Sequence, residues 1–324
     1  MKENDNNGTL HLPPRDIPIP SFLSDIARNY LMPQPVSAQY PALEDKAGWR
    51  AYVSAADQAV VPLLRRVIAD STAQVKERDA DGARVFDIVP PGLDPNSCSV
   101  VLEMHGGALI LCGAELCRIM GIGSAAWLQQ RVWSVDYRMP PDHPYPAALD
   151  DCIAAYRALL RERSPKEIVV SGGSSGGNLA AALVLRARDE GLPLPAGLIL
   201  RTPEVDLTES GDSFQTNNGI DPGLHSLVPV NQLYANGHDL RHPYLSPLFG
   251  DFSNGFPPTL LTTGTRDLFL SNTVRMHRAL RAAGVPAALH VTEAGPHTGF
   301  PGAPEGLEID REVRLFIQAV LQPA

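Results

Sequence analysis

An α/β fold built on a mostly parallel central sheet, with helices on both faces, is the architecture this chain predicts, and three observations predict it. From about Arg84 onward, short apolar runs alternate with helical segments, the pattern of strands covered on both sides by crossover helices. The stretch Ser171-Gly172-Gly173-Ser174-Ser175-Gly176-Gly177-Asn178-Leu179-Ala180 stands between a β-branched run and an alanine- and leucine-rich one, the setting of a strand that turns sharply into a helix. Finally, 324 residues at 44% hydrophobic and 19% charged supply ample material for one large core, which favours one α/β domain with an appendage over two domains.

Residues 1 to about 20 are polar and then punctuated by Pro13, Pro14, Pro18 and Pro20, so an extended arm is expected, with the first dozen residues mobile. Helical spacing follows over Ser21 to Met32, with Phe22, Leu23, Ile26 and Tyr30. It returns over Glu44 to Asp70, with Trp49, Tyr52, Val53, Val60, Leu63, Leu64 and Val67. Ser21 suits the N-cap of the first helix, and Pro33 and Pro35 would end it. Both helices precede the first expected strand and so lie outside the alternating part of the chain.

Strands are expected at Val85 to Val89, Cys98 to Met104, Val132 to Asp136, Ile168 to Val170, Gly197 to Arg201, Thr259 to Thr263 and Ala288 to Thr292. The clearest helix between them is Ala147 to Arg161, where Leu149, Cys152, Ile153 and Tyr156 keep one apolar face. Further helices are expected at Asn178 to Arg188, Ser271 to Ala283 and Ile309 to Leu321. Between Pro203 and Leu245 the alternation lapses into a loop-like stretch, Asp206 to Asn218, and a short helix within Pro222 to Ala235. An irregular insertion that leaves a sheet just after a strand end is usually functional. Together with residues 1–70 it is expected to form a helical lid, around 206–235, over a main domain spanning 71–324.

Charge and cysteines narrow the function. A net charge of -9 argues against nucleic acid or an anionic membrane as partner. No run approaches the length of a membrane span, and Met1 to Asn7 lacks the apolar core of a signal peptide, so a cytoplasmic location is the default expectation. Cys98, Cys112, Cys117 and Cys152 show no Cys-x-x-Cys spacing and suggest neither a zinc site nor a disulfide framework.

The glycine-rich stretch points to chemistry. Gly172-Gly173-Ser174-Ser175-Gly176 fits Gly-x-Ser-x-Gly, in which a serine is held at the tip of a strained strand-to-helix turn. A plain glycine turn is the alternative. A serine nucleophile needs a base, and the base needs a carboxylate to orient it, in the order Ser, acid, His. Asp267 directly behind one expected strand and His297 directly behind the next fill those roles, although Asp267 also suits a helix N-cap. The other histidines fit worse: His105 and His143 precede the serine, His225, His238 and His242 fall in the insertion, His277 is mid-helix, and His290 is inside a strand. Acyl transfer also needs backbone donors for a developing oxyanion. His105-Gly106-Gly107-Ala108, behind another strand, offers them together with the N–H of Ser175, and His105 is read as the side chain that holds this loop.

His105-Gly106-Gly107-Ala108, the run Asp136 to Ala148, and Gly172 to Ala180 together resemble the hormone-sensitive-lipase-like branch of the α/β-hydrolases, over roughly Val85 to Phe300. Ser246-Pro247-Leu248 and Pro257-Pro258-Thr259-Leu260 resemble the same family's approach to its acid. The resemblance implies a carboxylic ester hydrolase with a helical lid, needing no metal and no cofactor. It implies oxyanion donors at Gly107, Ala108 and Ser175, with Gly106 permitting the turn. Three positions depart from the family. Ala108 stands for a third glycine, His297-Thr298-Gly299-Phe300 carries one residue more than His-Gly-Phe, and Glu204 stands where an apolar residue is usual. Glu204 either lines a substrate pocket or caps its loop. Phe22 and Ile26 either meet an apolar substrate or pack the lid on the core. A small-molecule ester, apolar and of small to medium size, is the expected partner, and the reading allows a homodimer. A lactone hydrolase would use the same three residues, and a non-catalytic small-molecule receptor could be built on the same fold.

Overall fold

A computed structural model describes residues 10, 13–32, 39–94, 97–297 and 299–321. The mobile arm expected over the first dozen residues, the helix stop at Pro33 and Pro35, and Thr298 therefore lie outside the described residues, Leu10 apart.

Chain order runs α1 (Asp25–Tyr30), α2 (Lys46–Val67), β1 (Gln74–Ala80), β2 (Ala83–Val89), β3 (Val100–Met104), α3 (Glu115–Leu128), β4 (Arg131–Asp136), α4 (Ala147–Glu162), β5 (Ile168–Gly173) and α5 (Ser175–Asp189). It continues with β6 (Gly197–Arg201), α6 (Ser213–Thr216), α7 (Val228–Ala235), β7 (Thr259–Gly264), α8 (Leu270–Ala282), β8 (Ala287–Thr292) and α9 (Pro304–Leu321). The strands form a single sheet in the order β1-β2-β4-β3-β5-β6-β7-β8. β1 pairs antiparallel with β2, and β2 antiparallel with β4; from β4 to β8 every pairing is parallel. All seven expected strands form. β1 escaped the sequence reading because Gln74-Val75-Lys76-Glu77-Arg78-Asp79-Ala80 is an exposed, charge-rich edge strand with no apolar run.

Alternation along the inner strands divides the core into two layers. Val100, Leu102 and Met104 of β3 join Leu149, Tyr156, Leu179 and Leu183 on the face covered by α4, α5 and α8. Val101 turns to the other face, where Ile122 and Leu128 of α3 pack with Val313 and Ile317 of α9. α3 was not expected, since Gly121 and Gly123 interrupt its apolar pattern. Gly121 is required by packing, because a Cβ there would meet Ile88 Cδ1 at 2.6 Å and Ser134 Cβ at 2.8 Å.

Before the sheet, α1 is capped by Ser24, not Ser21; the Ser24 hydroxyl accepts from the Ala27 N–H at 3.2 Å. Arg138 and Asp142, in the loop between β4 and α4, do not pair with each other. Arg138 pairs with Asp151 and Asp142 with Arg50 of α2, each an exposed arginine that reaches a carboxylate the sequence order does not suggest. Among the described residues no helix is long and apolar enough to cross a membrane.

Candidate active site

The parallel strands deliver their carboxyl ends to one edge, where Ser174, Asp267, His297 and the loop of Gly106, Gly107 and Ala108 meet. β5 ends at Gly173 and α5 begins at Ser175, leaving Ser174 between them at φ +57° and ψ −126°. A non-glycine residue rarely adopts such a backbone, and it persists only where its surroundings enforce it. Here the enforcement is close approach. A Cβ at Gly172 would lie 2.1 Å from the Gly176 carbonyl oxygen, and one at Gly176 would lie 2.1 Å from that of Met104. The Ser174 N–H donates to Arg201 O at 2.9 Å and its carbonyl accepts from the Glu204 N–H at 3.1 Å, which pins the turn to the end of β6.

His297 Nε2 lies 2.9 Å from Ser174 Oγ, and its Nδ1 lies 3.0 Å from Asp267 Oδ1. A carboxylate only accepts, so the proton sits on Nδ1 and leaves Nε2 free to accept from the serine. Asp267 is fully buried, and its oxygens also accept from Thr263 Oγ1 at 2.6 Å and the Phe269 N–H at 2.9 Å. Phe269, not Asp267, caps α8, so the capping alternative for Asp267 gives way to this network. The loops that carry Asp267 and His297 are in close contact: a Cβ on Gly264, at the end of β7, would lie 2.0 Å from Gly295 O.

The insertion contributes groups that sequence reasoning missed. Buried Asp221 accepts from the N–H of His297 at 2.9 Å and of Leu268 at 3.2 Å, so one carboxylate joins the loop of His297 to that of Asp267. Burial pushes its pKa up, while the hydrogen bonds it accepts oppose that. Asn217 donates to Asp267 O at 2.8 Å. The one available signal was Asp221-Pro222-Gly223, a turn sequence that also suits a buried anchor.

Next to the serine, Gly107 has φ +122°, and a Cβ there would come 2.4 Å from Leu111 O. Ala108 follows at φ +52°, a left-handed conformation its methyl tolerates poorly. A Cβ at Gly106 would touch Ser174 Cβ at 3.3 Å, so this loop and the serine turn are in contact. His105 holds the loop from beneath. Its Nδ1 is 2.7 Å from Gly106 O, its ring stacks on Tyr137 at 4.1 Å, and the Tyr137 hydroxyl donates to His105 O at 2.7 Å. Ser175 opens α5, where the first N–H groups have no acceptor within the helix.

Other assignments need correction. Phe22, in the turn before α1, and Ile26 of α1 are 68% and 50% exposed; the buried residues of this segment are Leu23, also before α1, and Ala27, packed with Ala294, Phe300 and Ala303. Glu204 does not line the cavity beside Ser174 but is wholly buried. Burial pushes its pKa up to about 8, and neighbouring Asn231 favours the charged form without prevailing. Two residues on, Asp206 goes the other way. Burial opposes its charge too, but hydrogen bonds from Ser210, Thr208 and Arg275 hold its carboxyl below the ordinary value.

A cavity of about 650 Å³ opens beside Ser174 and His297, toward α3 and α9. Among the described residues one group could in principle ligate a metal: His105, Cys117 and Asp136, with ligand atoms within 4.8 Å of one another. Asp136 is already held by Arg84 and the Ala114 N–H, and burial pushes the Cys117 thiol far up, so this group braces the loop behind the site.

Residues 101–301 match the family model described as alpha/beta hydrolase fold. The chain belongs to this family. The hydrolase is 34% identical over 234 residues to an esterase of Acinetobacter venetianus, covering 69% of its own chain and 74% of the relative. It is also 34% identical over 217 residues to an acetyl-hydrolase of Streptomyces hygroscopicus, covering 64% and 71%. Among solved structures, esterase E25 superposes with a TM-score of 0.87 at 37% identity, covering 96% of this chain and 98% of that one. An esterase from the bacterial hormone-sensitive lipase family superposes with a TM-score of 0.72 at 27% identity, covering 92% and 96%.

Proposed function

We propose that this alpha/beta hydrolase, a carboxylic ester hydrolase by its family and relatives, works through Ser174 as nucleophile, His297 as base and then acid, and Asp267 as orienter. The observation that carries the reading is the continuous hydrogen-bonded series from Ser174 Oγ through His297 to Asp267, at 2.9 and 3.0 Å. Ser174 Oγ attacks the ester carbonyl as its proton passes to His297 Nε2. The imidazolium, stabilised by Asp267, then protonates the leaving alkoxide and releases the alcohol. Water, deprotonated by the same nitrogen, attacks the acyl-enzyme and restores the serine. The oxyanion accepts from the N–H groups of Gly107, Ala108 and Ser175, with Gly106 allowing the close approach.

A cavity of about 650 Å³ supports a small to medium ester substrate. α2 and the insertion are proposed as the lid over it, since Trp49 and Tyr52 share an apolar cluster with Phe214 and Leu227. The intact series of three side chains argues against a receptor, which has no use for a base.

Replacing Ser174 by Ala removes one hydroxyl and no core volume. The protein should fold as before, while turnover of p-nitrophenyl esters and simple lactones drops by about three orders of magnitude or more. A fluorophosphonate should add its mass once to the wild type and leave the variant unlabelled. A variant as active as the wild type would refute the assignment. Wild-type rates on the lactones in that panel sort ester from lactone preference.

A further inference from the structure

The insertion between β6 and β7 is tied to the loops of Asp267 and His297 by three buried polar side chains, Ser213, Asn217 and Asp221. They follow one another at every fourth position, the spacing that keeps side chains on one side of a helical stretch. The backbone repeats that spacing, with the Asn217 N–H donating to Ser213 O at 2.9 Å and the Asp221 N–H to Asn217 O at 3.0 Å. All three side chains meet the segment that carries Asp267. Ser213 Oγ donates to Leu268 O at 2.6 Å and accepts from the Ser271 N–H at 2.9 Å. Asn217 Nδ2 donates to Thr265 O at 3.2 Å and to Asp267 O at 2.8 Å, and Asp221 Oδ2 accepts from the Leu268 N–H at 3.2 Å.

Asp221 reaches one loop further than the other two. The same Oδ2 accepts from the His297 N–H at 2.9 Å, so the backbone nitrogens of His297 and of Leu268, the neighbour of Asp267, converge on a single atom. The carboxylate is itself held by its own turn. Its Oδ1 accepts from the N–H groups of Gly223 at 3.0 Å and Leu224 at 3.2 Å, which brings the donors on this one buried group to four. The bonds of His297 Nδ1 to Asp267 and of Nε2 to Ser174 set the ring against acid and nucleophile. That ring swings from the His297 backbone, and Asp221 fixes where the backbone stands.

We propose that Asp221 is a positioning residue for ester hydrolysis: it holds the backbone of His297 in register with the loop of Asp267, so that seating of the insertion completes the geometry of the base. The proposal rests on the reading of Ser174, His297 and Asp267 given above and extends the machinery into the insertion. Asp221 touches no reacting atom and acts through His297. A misplacement of about 1 Å can cost about 10²-fold in rate. His297 serves both the attack by Ser174 and the attack by water, so both steps slow together and the loss falls on kcat while KM holds.

Asp221→Ala tests it on the p-nitrophenyl esters of acetate, butyrate and hexanoate, with competent sites counted by the end point of fluorophosphonate labelling. Per competent site, kcat should fall by about 10²-fold and KM should stay within about threefold, equally for each acyl length. Asp221→Asn keeps one oxygen that can accept from both His297 and Leu268, and should recover kcat to within about tenfold of the wild type. A merely structural anchor would lower the melting temperature or the number of competent sites and leave kcat per site unmoved. That result overturns the proposal while the esterase reading stands. A loss confined to KM, or one that changes with acyl length, overturns it as well, since the insertion would then only shape the pocket. Where neither variant folds, amide hydrogen exchange in the wild type decides. Slow exchange at both His297 and Leu268 supports the anchor, and exchange at the rate of an exposed loop at either one overturns it. If the wild type hydrolyses no ester and takes no fluorophosphonate label, the esterase reading falls and the proposal falls with it.

Discussion

Helix α1 grips the chain just after His297, whereas α2 closes over the loop of Asp267 and the loop of Gly107 and Ala108. The first grip is small and partly polar: the Ser24 N–H and hydroxyl donate to Glu305 at 2.7 and 2.8 Å, and the Tyr30 hydroxyl donates to Pro301 O at 2.9 Å. Only Leu23, Ala27 and Leu31 of this region are buried against the site's far flank. The second is an aromatic seal. Fully buried Trp49 stacks on Tyr40 at 5.7 Å and meets Tyr52 edge-on at 5.9 Å, in one cluster with Ile110, Phe214, Leu268 and Phe269. Asp57 adds a hydrogen bond to the Cys112 N–H at 3.0 Å. Two helices that look alike as pre-sheet amphipathic segments thus hold different halves of the site with different strength. A six-residue helix has little intrinsic stability and depends on its docking, while α2 runs 22 residues and carries the apolar seal.

The comparison can be broken most severely at Trp49. Trp49→Ala should cost about 3–5 kcal/mol of global stability, since a fully buried indole leaves a cavity its neighbours cannot fill. Chemical denaturation followed by fluorescence or circular dichroism reads this directly, and a loss under about 1 kcal/mol would mean that α2 is not part of the cooperative unit.

A pH-dependent effect comes next and belongs to the α2 side, where burial first, then Tyr52 and Glu204, push Tyr40 away from ionising. With its folded pKa near 8 and an ordinary value near 4.5, Glu204 holds a proton in the folded state that the unfolded chain has released. Stability it contributes is present below the unfolded value and declines as pH rises toward the folded one. Melting temperatures taken from about pH 5 to about pH 8 should fall more steeply for the wild type than for Glu204→Gln, which cannot titrate. Parallel curves would show that Glu204 is ionised in both states.

The smallest expected effect is on the α1 side. Ser24→Ala removes the cap and the hydroxyl bond to Glu305, worth about 1 kcal/mol by the usual cost of a lost cap. Hydrogen exchange should quicken within Asp25–Tyr30 and leave α2 unchanged. Matching acceleration in both helices would merge the two grips into one.

The sheet was legible because its inner strands are continuous apolar runs, and the serine turn because its glycines are forced by backbone contact. Asp267 and His297 were legible from their places behind β7 and β8. Phe22 and Ile26 misled because the helical spacing expected from Ser21 onward does not hold before Asp25 and does not show which apolar residues are covered; Leu23, ahead of the helix, and Ala27 within it meet the core. Arg138 and Asp142 lie four residues apart in one loop, yet their partners, Asp151 and Arg50, are set by tertiary packing and not by nearness in sequence. Asp221 was hidden for a similar reason, since its hydrogen bonds reach two loops that the chain comes to 47 and 76 residues later, at Leu268 and His297. Glu103 of β3 and Arg201 of β6 form an ion pair that nothing in either strand's pattern reveals.

The crossing of Gly264 and Gly295 sets a rule for anyone who would remodel this chain. With one glycine's Cβ position overlapping the other's carbonyl, the two loops share a single spatial origin, and lengthening either one before that contact would carry Asp267 or His297 out of alignment. Grafts and length variation belong instead at the far edge of the sheet, at the Asp81-Gly82 turn between β1 and β2, where nothing lies within 4 Å of a Cβ position on Gly82, although its φ of +91° keeps glycine itself in place.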